Sequence, residues 1–333
     1  MLLSIIIPHY NLPRELLERC IDSIVIQDIP PIDYEIIIVD DGSDEPPQWV
    51  EERYTGIDIR LIHAVHSGPG GARNRGIDEA KGLYIEFVDA DDMLIPNSDI
   101  HTCLDVLRRD MPQILRFNSL TFKSHGNNAV DKTKKLEFSS TMSGAAYMRD
   151  FNLSGRPWVY FFKRSLAIEK GIRFPENTFH EDEEFNTILH YHAQTLIHCN
   201  ATLYRYCIRE GSTTVNSSAK FEAGRIENIL QVIERLSYFR DTFSKECNAT
   251  QAMGFEHKFT MLAVDAIINM MNIGMDAKSI YDTCRKRLTP LGIYPLPKAS
   301  YSRKYRIFRL LANSKIGLKI LRNFISSKTL TKE

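Results

Sequence analysis

Neither sign of charge prevails in this 333-residue chain: 42 Lys plus Arg stand against 42 Asp plus Glu. A chain that wraps nucleic acid carries a basic excess, so no nucleic-acid partner is expected. Cysteine is sparse, at six, and none of Cys20, Cys103, Cys199, Cys207, Cys247 and Cys284 forms a C-x-x-C pair. That removes zinc ribbons and thioredoxin-type redox sites. Scattered thiols within apolar runs suit a reduced, cytosolic setting. Runs of about 18 apolar residues, which a spanning helix needs, are missing. The stretch 261–275 comes nearest, but Asp265, Asn269 and Asn272 interrupt it, and it reads as a core helix. The opening MLLSIIIPHY has neither a basic leader nor a small-residue cleavage site, so a signal peptide is not expected. Internal repeats and low-complexity tracts are absent too.

What the chain does have is alternation. LLSIIIP reads as a buried strand and LPRELLERCIDSIVIQ as a helix, with Leu16, Leu17, Cys20 and Ile24 on one face. YEIIIVDDGSD, DIRLIHAV and LYIEFVDADD are further short strands. Between the last two lies GPGGARNRGIDEAKG, a Gly-rich loop opening a helix, with Gly82 as its C-cap. SDIHTCLDVLRRD is a helix again. Such alternation predicts an α/β fold, a mostly parallel sheet with helices on its faces. Residues 1–215 would form this domain, with a first half to about 115 and a second half over 116–215. Beyond 216 strand patterns cease, and helices are expected over 219–245, 251–273 and 276–288.

In open sheets of this kind the ligand sits beyond the carboxyl ends of the strands. The acids of VDDGSD and VDADD both fall at strand ends, so Asp40, Asp41, Asp89, Asp91 and Asp92 should gather at one place. Clustered carboxylates repel, and hard oxygen donors suit Mn²⁺ or Mg²⁺. Asp89 and Asp91 are therefore candidate metal ligands for an ion that also carries a diphosphate; helix capping is the plain structural alternative. Arg73 and Arg75, with backbone N–H groups at a helix start, suit an anion. Pro8 and Tyr10 are placed to flank a flat base. A carboxylate of VDDGSD (Asp40 or Asp41) is placed to accept from a base or ribose. Turn chemistry is the alternative for each.

SIIIPHYN, IIIVDDGSDE, GPGGARNRGI and FVDADDMLIP, in this order, resemble successive motifs of the family 2 inverting glycosyltransferases. The resemblance is strong over about 1–115 and looser to about 215, through PWVYFFKRSLAIEKGIRFPE and HEDEEF. It implies the GT-A fold, a Rossmann-like sheet, and a sugar transferred from a nucleotide-diphosphate donor, UDP-linked by preference. The sugar would be a hexose or N-acetylhexosamine. The acceptor would be a hydroxyl of a glycan or lipid-linked glycan in bacterial cell-surface polysaccharide synthesis. By resemblance Pro8, Tyr10 and Asp41 or Asp40 line the base and Arg73 serves the diphosphate. Asp89 would lie near ribose and metal, and Asp91 would be the direct ligand. Asp92 would support the loop. A noncatalytic nucleotide-sugar-binding subunit of a synthase complex is the alternative.

HEDEEFN is a second acidic cluster. Inverting transfer needs a base away from the departing diphosphate. By resemblance Asp182 is that base, with Glu181, Glu183 and Glu184 as alternatives; a dipole-complementing acid run is the structural reading. Trp158 and Glu181 are candidate acceptor contacts, with the core as the other place for Trp158. Arg209 is a candidate to close over the diphosphate. His180, His190, His192 and His198 make no ligand pattern, so zinc is not expected. The stretch 301–333 alternates nine basic residues with apolar ones, and its only acid is Glu333. That pattern predicts a basic amphipathic helix. It lies either at an anionic membrane, on the cytoplasmic face, or packed on the domain.

Overall fold

The computed structural model describes residues 1–96, 98–122, 135–208, 219–299 and 301–329. It has two compact units. One comprises Met1–Tyr147 and Ser154–Val215, the other Met148–Leu153 and Asn216–Glu333.

The first unit begins with β1 (Leu3–His9), α1 (Arg14–Val25), β2 (Tyr34–Asp40), α2 (Trp49–Arg53), β3 (Asp58–His63), α3 (Gly68–Glu79) and β4 (Tyr84–Phe87). Then come β5 (Met93–Leu94), α4 (Ile100–Asp110), β6 (Ile114–Phe122), α5 (Gly144–Asp150), β7 (Tyr160–Lys163), α6 (Arg164–Glu169), α7 (Glu181–His192) and β8 (Leu196–Cys207). Eight strands form one sheet in the order β3-β2-β1-β4-β7-β6-β8-β5. The β1–β2, β1–β4, β2–β3 and β6–β8 pairs are parallel, whereas β7 is antiparallel to β4 and β6, and β5 to β8. Every residue of β2 is buried, and nearly every one of β1. Helices cover both faces, so the central strands read as continuous apolar runs rather than alternating ones.

Helix α3 is the element that shapes the site, and small residues let it lie close to the sheet. A Cβ on Gly76 would meet the Cγ2 of Ile6, in β1, at 2.3 Å. The helix ends at Ala80, so the expected C-cap at Gly82 is not realised. Gly82 instead lies against β1, where a Cβ would come within 2.6 Å of the Ser4 nitrogen. Its N–H donates to the Ser4 hydroxyl at 2.8 Å. Close approach, not a left-handed turn, is what requires glycine there.

The second unit holds α8 (Ala219–Thr242), α9 (Ala249–Asn272), α10 (Ala277–Arg287), α11 (Arg303–Ala312) and α12 (Lys315–Thr329). Asn248 and Gln251 form a reciprocal capping box at the start of α9. Residues 148–153 join this unit because Lys258 donates to the Leu153 carbonyl at 2.7 Å and the His257 Nδ1 meets the Met148 carbonyl at 2.9 Å. The basic tail is two helices rather than one. Asn313, between them, accepts from the Leu296 N–H at 2.8 Å and donates to the Leu296 carbonyl at 3.0 Å. Helix α12 then folds back on α11, where a Cβ on Gly317 would meet the Leu311 carbonyl at 2.1 Å. Tyr305, Ala312 and Leu318 are buried, so the tail packs within its unit.

Candidate active site

A cavity of about 330 Å³ opens at the carboxyl ends of β1, β2 and β4, lined by Pro8, Tyr10, Asp41, His66, Arg73, Asp89 and Asp91 among others. Parallel pairing of these strands brings their terminal residues together. Asp40, Trp158, Glu181 and Asp182 are not among its lining residues.

Arg73 is the centre of the arrangement. It is 6% exposed, and its two terminal nitrogens hold different carboxylates. Nη2 donates to Asp89 at 2.8 Å and Nη1 to Glu181 at 3.0 Å. Its guanidinium also lies over the Phe174 ring, 5.4 Å from the centroid. The planar fork of arginine is suited to such a double hold. Arg75 does not join it; that side chain faces solvent and pairs with Glu79 at 2.8 Å.

The DADD loop is held from behind. The Asp89 N–H donates to the Tyr204 hydroxyl at 3.1 Å, and that hydroxyl donates to Asp92 at 2.7 Å. Asp92 also accepts from the Cys207 N–H at 2.7 Å. Burial first, then the charge of Asp89, pushes the Asp92 carboxyl up to about 8. Asp92 thus supports the loop, while Asp89 and Asp91 turn to the cavity. Arg19 fixes the loop further by donating to the Asp91 carbonyl at 2.6 Å.

The acids after β2 are engaged as well. Asp41 accepts from the Ser67 N–H at 2.8 Å and the Gly68 N–H at 2.9 Å, which caps α3 from outside the helix. The first N–H of α3, among those expected to cradle an anion, therefore already faces a carboxylate. Asp40 is buried against His9 at 3.1 Å and the Ser43 N–H at 3.3 Å. Burial opposes its charge, yet the Ser43 and His9 contacts hold its carboxyl below the usual range. Tyr10 is exposed, and its ring stacks on His66 with centroids 4.4 Å apart. The His66 Nδ1 lies 2.9 Å from Asp41. His66 was not foreseen from sequence; its one signal is its place just before the GPGG run.

Asp182 sits in the first turn of α7 and accepts the Glu183 N–H at 2.8 Å. Burial first, then the charges of Glu183 and Glu181, push its carboxyl well above the ordinary range, with Arg73 pulling the other way. A carboxyl in this setting keeps its proton to higher pH than an ordinary carboxylate. Glu181 is turned toward Arg73, which donates to it at 3.0 Å. Trp158, read from sequence as either an acceptor contact or a core residue, lies on the core side of that choice. It is 7% exposed and stacks on Tyr204 at 4.2 Å, so the indole belongs to the core beneath the DADD loop. Arg209 lies outside the described residues. Among the described residues no three metal-binding side chains form a ready cage.

Residues 4–169 match the sequence profile of Glycosyl transferase family 2. The chain belongs to this family. The glycosyltransferase YibD of Escherichia coli K12 is 29% identical over 223 residues, covering 64% of this chain and 63% of YibD. The GalNAc(5)-diNAcBac-PP-undecaprenol beta-1,3-glucosyltransferase of Campylobacter jejuni is also 29% identical over 223 residues. That match covers 65% of this chain and 68% of the Campylobacter protein. The chain thus spans somewhat under two thirds of the length of several glycosyltransferases it matches. Among solved structures, TarS 1-349 of S. aureus in complex with UDP-GlcNAc shares the fold. Its TM-score is 0.58 at 18% identity, over 88% of this chain and 89% of that one. The profile's span contains Pro8, Asp40, Asp41, Arg73, Asp89 and Asp91, and it ends before Glu181 and Asp182. The matched region holds Arg73 and Asp89, and Arg73 ties it to Glu181 at the start of α7.

Proposed function

We propose that this protein is an inverting glycosyltransferase that moves a sugar from a nucleotide-diphosphate donor, most simply a UDP-sugar, to a hydroxyl of a glycan acceptor. The observation that carries this reading is the Arg73 bridge. It joins Asp89 on the cavity wall to Glu181, the neighbour of a carboxyl raised by burial. The cavity would take the nucleotide, with Tyr10 stacked beside the base. Asp182 would accept the proton of the attacking hydroxyl as the bond to the anomeric carbon forms and the bond to the diphosphate breaks. Placing the base apart from the leaving group is what inversion requires.

A divalent cation fits the residues present. Asp89 and Asp91 both line the cavity, and Mg²⁺ or Mn²⁺ commonly binds through one or two carboxylates plus substrate phosphates. Asp89 and Asp91 would hold the ion, which would supply charge neutralisation for the leaving diphosphate. The undecaprenol-linked acceptor in the name of the Campylobacter relative supports a lipid-linked glycan acceptor here, and hence work at a membrane face.

The test is calorimetric binding of UDP, GDP and dTDP, each with and without Mn²⁺, to wild type and Asp91→Ala. One nucleotide should bind in a metal-dependent way, and the variant should lose that binding by about tenfold or more. Absence of binding for every nucleotide would remove the basis of the proposal.

A further inference from the structure

The tail packs within its unit, yet it leaves an apolar stripe outside. Ile307 and Leu310 on α11, and Ile316 and Ile320 on α12, are between 41% and 77% exposed. The spacing is i, i+3 on one helix and i, i+4 on the other, so each pair shares a face. The inner faces are spent on Tyr305, Ala312 and Leu318. Exposed isoleucine and leucine at helical spacing on a chain of ordinary composition call for an occupant.

The border of the stripe says which one. Arg303 and Arg306 lie one turn before Ile307 and Leu310, and Lys319 lies between Ile316 and Ile320. All three are exposed, and among the described residues none has a carboxylate within salt-bridge range. From residue 301 to 329 the chain has no Asp or Glu at all. A second copy seated on this face would set like charges against each other. An anionic lipid surface meets both demands, since acyl chains accept the isoleucines and headgroups accept the cations.

We infer that the outer face of α11 and α12 is a docking surface for anionic membrane. The helices lie in the interface without crossing it; no helix among the described residues is long and apolar enough to span. This deepens the proposed work at the membrane face but uses no step of glycosyl transfer, so the two can fail separately.

Deleting 301–333 is a poor test, because it would strip Leu318 and Ala312 from their packing. Point changes on the exposed face spare Leu318 and Ala312. The full chain, without nucleotide, is sedimented with phosphatidylcholine vesicles, plain or carrying about a third phosphatidylglycerol. Wild type should partition to the anionic vesicles only. Ile316→Ser with Ile320→Ser should weaken partition about tenfold. Arg303→Gln with Arg306→Gln should weaken it about 25-fold, near fivefold per charge. Failure of wild type to sediment, or wild-type binding by both variants, overturns the inference. So does a wild-type dimer that the isoleucine changes dissociate, which would assign the stripe to a second copy.

Discussion

Replacing Arg73 by methionine keeps most of the side-chain volume and removes the charge that holds two carboxylates. Arg73 is almost wholly buried, and both its ion pairs are at 3.0 Å or less. Removing one partner of a buried pair costs about 3–5 kcal/mol, because the other charge is left uncompensated. The Asp89 side chain is 25% exposed, so water will answer part of its loss and the low end, about 3 kcal/mol, applies. Glu181 is the deeper of the two. Adding Glu181→Gln to Arg73→Met should therefore recover about 1–2 kcal/mol rather than add to the damage. The assay is built into the chain. Its two tryptophans, Trp49 and Trp158, both lie in the sheet-bearing unit, so indole fluorescence in urea follows that unit alone. With a slope of about 2–3 kcal/mol per molar urea, the midpoint should fall by about 1 M. A fall below about 0.3 M with unchanged slope would show that the carboxylates are well solvated without Arg73. The bridge would then not be what unites the site.

Other expectations follow from the same geometry. Glu86 is wholly buried, and among the described residues neither of its oxygens has a hydrogen-bond partner; burial raises its carboxyl well above the usual range. The folded state therefore keeps this proton when the unfolded state has lost it. Its penalty is absent below about pH 4 and grows as pH rises from there toward the folded value. Glu86→Gln should stabilise the protein by about 1–3 kcal/mol at pH 7, with the gain vanishing near pH 4, as read by urea midpoints. Equal stability of the two at pH 7 would contradict this. Asp182→Asn should lower turnover about 10²–10⁴-fold while nucleotide affinity, by calorimetry, stays within about twofold. Because the raised carboxyl must lose its proton to act, wild-type rate should fall on acidification well before the ordinary carboxylate range near pH 4. A variant keeping more than about a tenth of its turnover would clear Asp182 of the role. Gly76→Ala should cost about 1–3 kcal/mol, since the new methyl meets Ile6 with no flexible neighbour to yield. A neutral thermal melt would show that α3 can lift from β1.

The central strands were legible because burial on both faces writes them as unbroken Ile, Val and Leu runs. The helices after 216 were legible for the matching reason that period is local. What escaped was the pairing of particular side chains across long separations. Nothing near Asp92 announces that Tyr204 and the Cys207 N–H will hold it, and nothing near Tyr10 announces His66. Gly82 was misread because a glycine after a helix has two uses, a left-handed cap or a close approach, and only the neighbouring strand decides between them. The tail was read as one helix because its apolar spacing runs on through Asn313. What breaks it is a bond from that side chain to Leu296, which no periodicity records. Trp158 had two readings from sequence, and its stack on Tyr204 selects the core.

The span of the Arg73 bridge also bears on how the protein is made. Arg73 and Glu181 are 108 positions apart, and Asp92 and Cys207 are 115 apart. At about 5–20 residues per second of synthesis, Glu181 follows Arg73 by roughly 5–20 s. For that interval the nascent sheet holds a guanidinium whose second carboxylate does not yet exist, and a DADD loop without its backing strand. The first strands can pair early, but the cavity at their ends reaches its final form only when α7 and β8 arrive.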